Sequence, residues 1–314
     1  MTRPKDSYDE RSGIAMLSIS IAVLLLSSMG LLSKPLAPKK LRIFLLVGQS
    51  NMQGKGKVDQ LQQLAQAETT RPQYGHWLDK SGDWATRDDV WMWYLDRMGP
   101  LTVGYGSPAE DRFGPELEIG RILGDAYDDP VLLIKTAWGG KSLALDFRPP
   151  SSGGEVGAYY EQTLESLRSV LATRKELFPE IECSAQQLEG VFWFQGWNDR
   201  VNQEFNDEYE VNLANWIRDL RKDLELPTLP VVIGETGQGG PDETHPRALS
   251  LMKAQAAVAT SKEFAATVSI VDTQAFYAEE PRHDGGYHFF GNAANFFAIG
   301  AGLGNAMLEL VETD

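Results

Sequence analysis

Cysteine is almost absent from this chain: one residue, Cys183, in 314. A single thiol makes no intramolecular disulfide and no thiolate cluster for zinc, so the fold must rest on its hydrophobic core. Histidine is nearly as scarce, with His76, His245, His283 and His288 the whole supply. Any proton transfer run by imidazole therefore has four candidates. Positive charge is short too: 29 Lys and Arg stand against 44 Asp and Glu, a net charge of −15. Binding nucleic acid needs clustered cations to neutralise phosphates, so no nucleic-acid partner is expected. Internal repeats, low-complexity tracts and long interior linkers are missing as well, which makes residues 40–314 a single expected domain.

What is present begins with a hydrophobic content of 42%, ample for a packed core. After a mixed-charge head comes IAMLSISIAVLLLSSMGLL, 19 uncharged residues from Ile14 to Leu32, followed by the polar, Pro-containing SKPLAPKK. That pattern reads as an export signal or a membrane anchor: the length suits spanning, and the small residues around Ser28 and Gly30 suit cleavage. Residues 1–39 are thus expected to place the domain outside the cytoplasm, periplasmic, secreted, or held on the outer side of a membrane through residues 14–32. Nothing in the sequence specifies an oligomeric state.

Short apolar runs recur at 41–48 (LRIFLLVG), 130–138 (PVLLIKTAW), 189–196 (EGVFWFQG), 229–235 (LPVVIGE) and 266–272 (ATVSIVD). Each is continuous instead of alternating, as expected of strands in a parallel sheet covered on both faces. Helical patterns lie between them. The clearest places Tyr209, Leu213, Trp216, Ile217, Leu220 and Leu224 at spacings of three and four, with Asn206 or Asp207 as the expected cap. Strand and helix alternate, so a doubly wound α/β fold is expected. Residues 58–112 are polar and aromatic and read as a long loop insertion, whose Trp77, Trp84, Trp91 and Trp93 either stack on sugar rings or form a small core of their own.

Residues suited to chemistry follow the strand ends, where open α/β sheets bind ligands. Ser50 stands directly after the first strand in LLVGQSNMQG, at a turn where its hydroxyl serves as nucleophile or merely caps a helix. A serine nucleophile needs a base, and His288 lies beyond the last strand at the entry of a final helix, with His283 as its rival. Asp284, four residues earlier across Gly285-Gly286, is placed to orient that imidazole. Gly139 and Gly140, after the second run, and the amides of Gln195 and Asn198, after the third, are candidate oxyanion donors. Their duller reading is that paired glycines mark a tight turn. A metal site built from His283, Asp284 and His288 lacks further ligand spacing, and no metal or cofactor is expected.

The order GQSNM (48–52), WGGKS (138–142), QGWND (195–199) and DGGYH (284–288) resembles the SGNH-type hydrolases, within their sialate O-acetylesterase and carbohydrate esterase family six branch. The resemblance runs from Leu41 to Met307. It implies a three-layer α/β/α sandwich with a flavodoxin-like parallel sheet, and a serine esterase that removes O-acetyl groups from a carbohydrate. Carried over residue by residue, it makes Ser50 the nucleophile, His288 the base and Asp284 the acid. The implied oxyanion hole comprises the Ser50 and Gly140 (or Gly139) N–H groups with Asn198 or Gln195. Gln49, Asn51, Trp138 and Trp197, which flank these groups, are expected to meet the acetylated substrate. Two departures stand out. Trp197 occupies a position where the branch commonly carries glutamate, and Asp284 and His288 are four apart instead of three, which leaves Asp199 as an alternative acid. A carbohydrate-binding protein without catalysis, and an esterase of lipids or small aryl esters, are the rival functions.

Overall fold

All five apolar runs become strands of the main sheet, and its other two strands come from the stretch read as a loop. The computed structural model describes residues 40–182 and 185–312. The segment expected to be an export signal or anchor, and Cys183, lie outside the described residues. In chain order the first half comprises β1 (Lys40–Gly48), α1 (Ser50–Gln53), β2 (Gly56–Lys57), α2 (Val58–Gln66), α3 (Arg71–Tyr74), β3 (Arg87–Tyr94), β4 (Arg97–Leu101), β5 (Arg112–Phe113), α4 (Glu116–Ala126) and β6 (Val131–Ala137). The second half comprises α5 (Ala158–Leu177), β7 (Ala185–Phe194), α6 (Trp197–Arg200), α7 (Gln203–Asp223), β8 (Val231–Gly234), α8 (Pro246–Thr260), β9 (Val268–Val271) and α9 (Ala293–Glu312). The main sheet runs β4-β3-β6-β1-β7-β8-β9, with β4 antiparallel to β3 and every other neighbour parallel.

Alternate residues of each strand serve opposite layers, which is why the runs are continuously apolar. In β1, Ile43, Leu45 and Val47 pack with α5, α7 and α8, while Phe44 and Leu46 pack with α4 and α9. Between β1 and β7 the register slips: Ile43 faces Leu188 and Phe44 faces Gly190, leaving Glu189 as the extra residue of a bulge. Its carboxylate takes the Lys40 ammonium and the Arg42 guanidinium. The many small residues of α9 also find their reason here. A Cβ on Gly300 would lie 2.5 Å from the Pro115 carbonyl oxygen, so glycine lets α9 approach the start of α4 closely.

The 58–112 stretch departs from expectation. Its VWMWY segment is β3, an inner strand of the sheet, paired on one side with β6 and on the other with β4. Aromatic and β-branched residues favour a strand covered on both faces, and here that preference outweighed the polar flanks. Trp77 and Trp91 are buried and Trp84 and Trp93 pack against the core, but on opposite faces of the sheet: Trp77 and Trp84 join the core under α4 and α9, Trp91 and Trp93 the core under α5, α7 and α8, so they form neither a small core of their own nor a sugar-stacking row.

The long helix α7 begins earlier than Asn206 or Asp207. Asn202 is its cap, accepting from the Glu204 and Phe205 N–H groups, whereas Asn206 is buried and donates to the Arg247 carbonyl at 2.8 Å. Asn202→Ala is expected to cost about 1 kcal/mol, read as a lower denaturant midpoint at unchanged slope.

Candidate active site

The chain reverses direction along the sheet at β1, which has β6 on one side and β7 on the other. A crevice forms beyond the carboxyl ends of strands at such a switch point. The segments leaving β1, β6 and β7 are those that carry Ser50, the Gly139-Gly140 pair and Gln195 to Asn198.

Gly48 makes the serine's turn possible. A Cβ there would sit 2.2 Å from the Phe194 carbonyl oxygen and 2.7 Å from Met52 Cβ, so only glycine lets β1 turn this tightly against β7. Ser50 is then the first residue of α1, with Gln49 in the cap position and making no side-chain cap bond. Among the described residues the Ser50 hydroxyl has no hydrogen-bond partner, which removes the capping explanation for this serine.

The segment after β7 is organised around the Gln49 amide. Gln49 Oε1 accepts from the N–H of Gly196 at 3.2 Å and of Asn198 at 3.3 Å, while its Nε2 donates to Asn198 Oδ1 at 3.1 Å. Asn198 Nδ2 donates one hydrogen to the Gly140 carbonyl at 2.9 Å, and its other hydrogen has no partner among the described residues. Gln195 differs. It is buried, with Nε2 2.6 Å from Asp199 Oδ2 and 3.0 Å from the Lys141 carbonyl, so both of its hydrogens are engaged. Asp199 is buried as well and accepts from the Leu143 and Ala144 N–H groups at 2.9 Å each, clamping the loop after β6 to the one after β7. Burial pushes its carboxyl up to about 6 despite those donors. A would-be Cβ on Gly139 lies 3.9 Å from Ser50 Cβ, placing the glycine pair beside the serine.

Across the crevice, His288 Nδ1 lies 3.0 Å from Asp284 Oδ2, so the four-residue spacing still brings acid and imidazole together. A proton on Nδ1, shared with the carboxylate, leaves Nε2 as the basic nitrogen. The turn is strapped to the serine's own helix, because Asn51 Nδ2 donates to the Tyr287 carbonyl at 3.1 Å. The next two residues, Phe289 and Phe290, sit at φ of 47° and 57°, a costly conformation for bulky side chains. Burial of the Phe289 ring against Phe194 and Phe296, together with bonds from the His283 and Asp284 N–H groups to the Phe290 carbonyl, holds them there. Burial lowers the His288 pKa below its ordinary value, against the opposing pull of Asp284. The other histidines lie elsewhere: His76 pairs with Glu118, His245 caps α8, and His283 is exposed.

With this geometry in view, residues 40–309 match the family model for carbohydrate esterase, sialic acid-specific acetylesterase. The chain belongs to that family. A probable carbohydrate esterase of Arabidopsis thaliana is 22% identical over 222 residues, covering 67% of this chain and 73% of its own. The X-ray structure of that Arabidopsis protein superposes with a TM-score of 0.58 at 19% identity, over 88% of this chain and all of the other. NanS gives 0.55 at 15%, over 88% of this chain and 98% of its own. A carbohydrate acetylesterase from Xanthomonas citri gives 0.55 at 15%, over 87% of this chain and 57% of its own. The fold is accordingly the three-layer sandwich of the SGNH hydrolases.

Several residues of this carbohydrate esterase take other places than expected. Gln49 and Asn51, expected to touch substrate, are 2% and 4% exposed and hold the loops around Ser50 instead. Trp138 packs on Phe147 and Tyr159 at the rim of the core. Trp197, by contrast, stays beside the crevice: it lies half-buried, its ring 5.6 Å from Tyr287 and under the Arg200 guanidinium at 4.4 Å. Sequence reasoning overlooked Lys135. It is fully buried in β6, paired with Glu116 at 3.0 Å, and donates to the Gln53 carbonyl at the end of α1. Desolvation lowers its pKa to about 8. One lysine inside an otherwise apolar strand run was the available signal.

Proposed function

We propose that the chain is a serine esterase that removes O-acetyl groups from a carbohydrate, acting outside the cytoplasm. The observation that carries this reading is the His288–Asp284 pair, strapped through Asn51 to the helix that begins with Ser50. His288 Nε2 takes the Ser50 proton as the serine oxygen bonds to the acetyl carbon. The carbonyl electrons move onto oxygen and return as the carbon–oxygen bond to the sugar breaks, and the sugar alcohol leaves with the proton from His288. Water then repeats the sequence on the acetyl-serine, releasing acetate. The oxyanion is met by the Ser50 N–H, an N–H of the Gly139-Gly140 pair and the free Asn198 amide hydrogen. The sugar is flanked by Trp197 and Tyr287, whose rings form a half-open aromatic wall beside His288.

Acetate release from acetylated polysaccharide, with p-nitrophenyl acetate as a generic reporter, tests the activity. An organophosphonate fluoride should leave its adduct on the peptide containing Ser50. Absence of turnover across a broad ester panel, with glycan affinity retained, would replace this reading by that of a binding protein. Asn198→Ala should lower kcat on p-nitrophenyl acetate by about 100- to 1,000-fold with little change in KM, since the donor acts on charge that develops in the transition state.

A further inference from the structure

Beside the serine lies a cleft of about 730 Å³ that the catalytic groups do not use. It opens at the carboxyl edge of β3, between the tip of the β3–β4 hairpin and the loop at 107–111. Gln53 is its shared wall with the nucleophile. Ser50 and Gln53 stand three apart on the single turn of α1 and so project to one side of it. Gln53 Nε2 donates to Tyr94 Oη at 3.0 Å, and its Oε1 lies against Gly139, 2.9 Å from where a Cβ would be. The hairpin tip offers an apolar face. Leu95 is 37% exposed and holds a φ of 56°, a conformation that favours Asn or Gly in such turns.

The exposed, unpaired charge at this cleft is negative. Asp96 and Glu110 are exposed and, among the described residues, make no ion pair or side-chain hydrogen bond. Asp111 adds a third carboxylate, paired with Lys57 at 2.6 Å. The cation of the cleft, Arg97, is turned inward: it donates to the Gly104 and Gly106 carbonyls at 2.7 and 2.5 Å and stacks on Tyr94. Cations elsewhere around the serine are likewise held, Lys141 by Asp146, Arg200 by Glu243, Lys55 by the Ser107 carbonyl, and Arg112 by the Lys55 carbonyl with Asp111 at 3.8 Å. An incoming carboxylate thus meets unpaired like charges and, among the described residues, no guanidinium or ammonium at the cleft without a partner already.

The geometry points to this cleft as the glycan subsite next to Ser50, with Gln53 as its boundary and Asp96 and Glu110 as a filter that admits uncharged sugars and repels sugars bearing a carboxylate. The inference rests on the esterase reading for what the glycan carries, but not for whether it binds. Like charges brought together across a binding surface are unfavourable, and exposed ones are screened by salt.

The test is therefore calorimetric binding of unacetylated oligogalacturonate to the full chain, as the free acid and as its uncharged methyl ester, in about 10 mM and about 1 M salt. The screening length falls between these from about 30 Å to about 3 Å. The ester should bind about tenfold or more tightly at low salt, with the preference shrinking at high salt and in Asp96→Asn/Glu110→Gln. Equal binding, tighter binding of the acid, no binding of the ester, or a preference unchanged in the double variant would each overturn the subsite. Loss of the esterase reading has a separate signature: no release of p-nitrophenol from p-nitrophenyl acetate.

Discussion

Ser50→Ala is expected to lower kcat for ester hydrolysis by about a millionfold, down to what the oxyanion donors and substrate binding supply without a nucleophile. The same change should leave stability nearly untouched. The hydroxyl it removes has no partner among the described residues, it caps nothing, and Gln49 already occupies the cap position of α1. Deleting one oxygen at a site that is 8% exposed opens no cavity of consequence. Two measurements separate the chemical from the structural effect: pre-steady-state release of p-nitrophenol, whose burst reports acetyl-enzyme and should vanish, and the unfolding midpoint, which should not move. A variant that kept its burst would show that another residue carries the acyl group. A variant that lost both burst and stability would mean that Ser50 supports the turn between β1 and α1 instead of reacting.

The part of the molecule legible beforehand was the part governed by continuous burial. Runs such as LRIFLLVG are strands because both faces of the sheet are covered, and no later contact reverses that. The residues at their carboxyl ends then fall into one crevice by topology alone, which is how Ser50, the glycine pair and the 195–199 segment were placed together from the sequence. The VWMWY segment failed for a related reason: its aromatic run is strand-like, but its polar surroundings resemble a loop, and only pairing with β6 decides between them. Division of labour among polar residues was the least legible. Gln195 and Asn198 are chemically alike, and what distinguishes them is which amide hydrogens the fold has already engaged. Gln195 has none left, whereas Asn198 keeps one. Asp199 and Asp284 differ in the same way, since the first is held by backbone N–H groups 143 and 144 and the second faces an imidazole.

Asp284→Asn is expected to reduce kcat by about ten-thousandfold and to move the acid limb of the pH profile toward lower pH. The two effects have different origins. Asn in place of the carboxylate no longer fixes the proton on Nδ1 or stabilises the imidazolium formed when His288 accepts the serine proton, and this lowers the rate at every pH. The shift follows from charge. In the parent, burial holds the His288 pKa below 6.5, Asp284 pulls it upward, and Lys55 and Arg112 push it down. Removing the carboxylate deletes the upward pull, so the ring stays neutral to lower pH. A base works in its neutral form, so kcat/KM, which rises as the ring deprotonates, should reach its plateau at lower pH in the variant than in the parent. A kcat/KM profile between about pH 4 and pH 8 reads this directly. Were Asp284 only a brace for the turn at 284–288, its loss would lower the whole profile without displacing it. Were Asp199 the working acid, the variant would keep both its rate and the position of its limb.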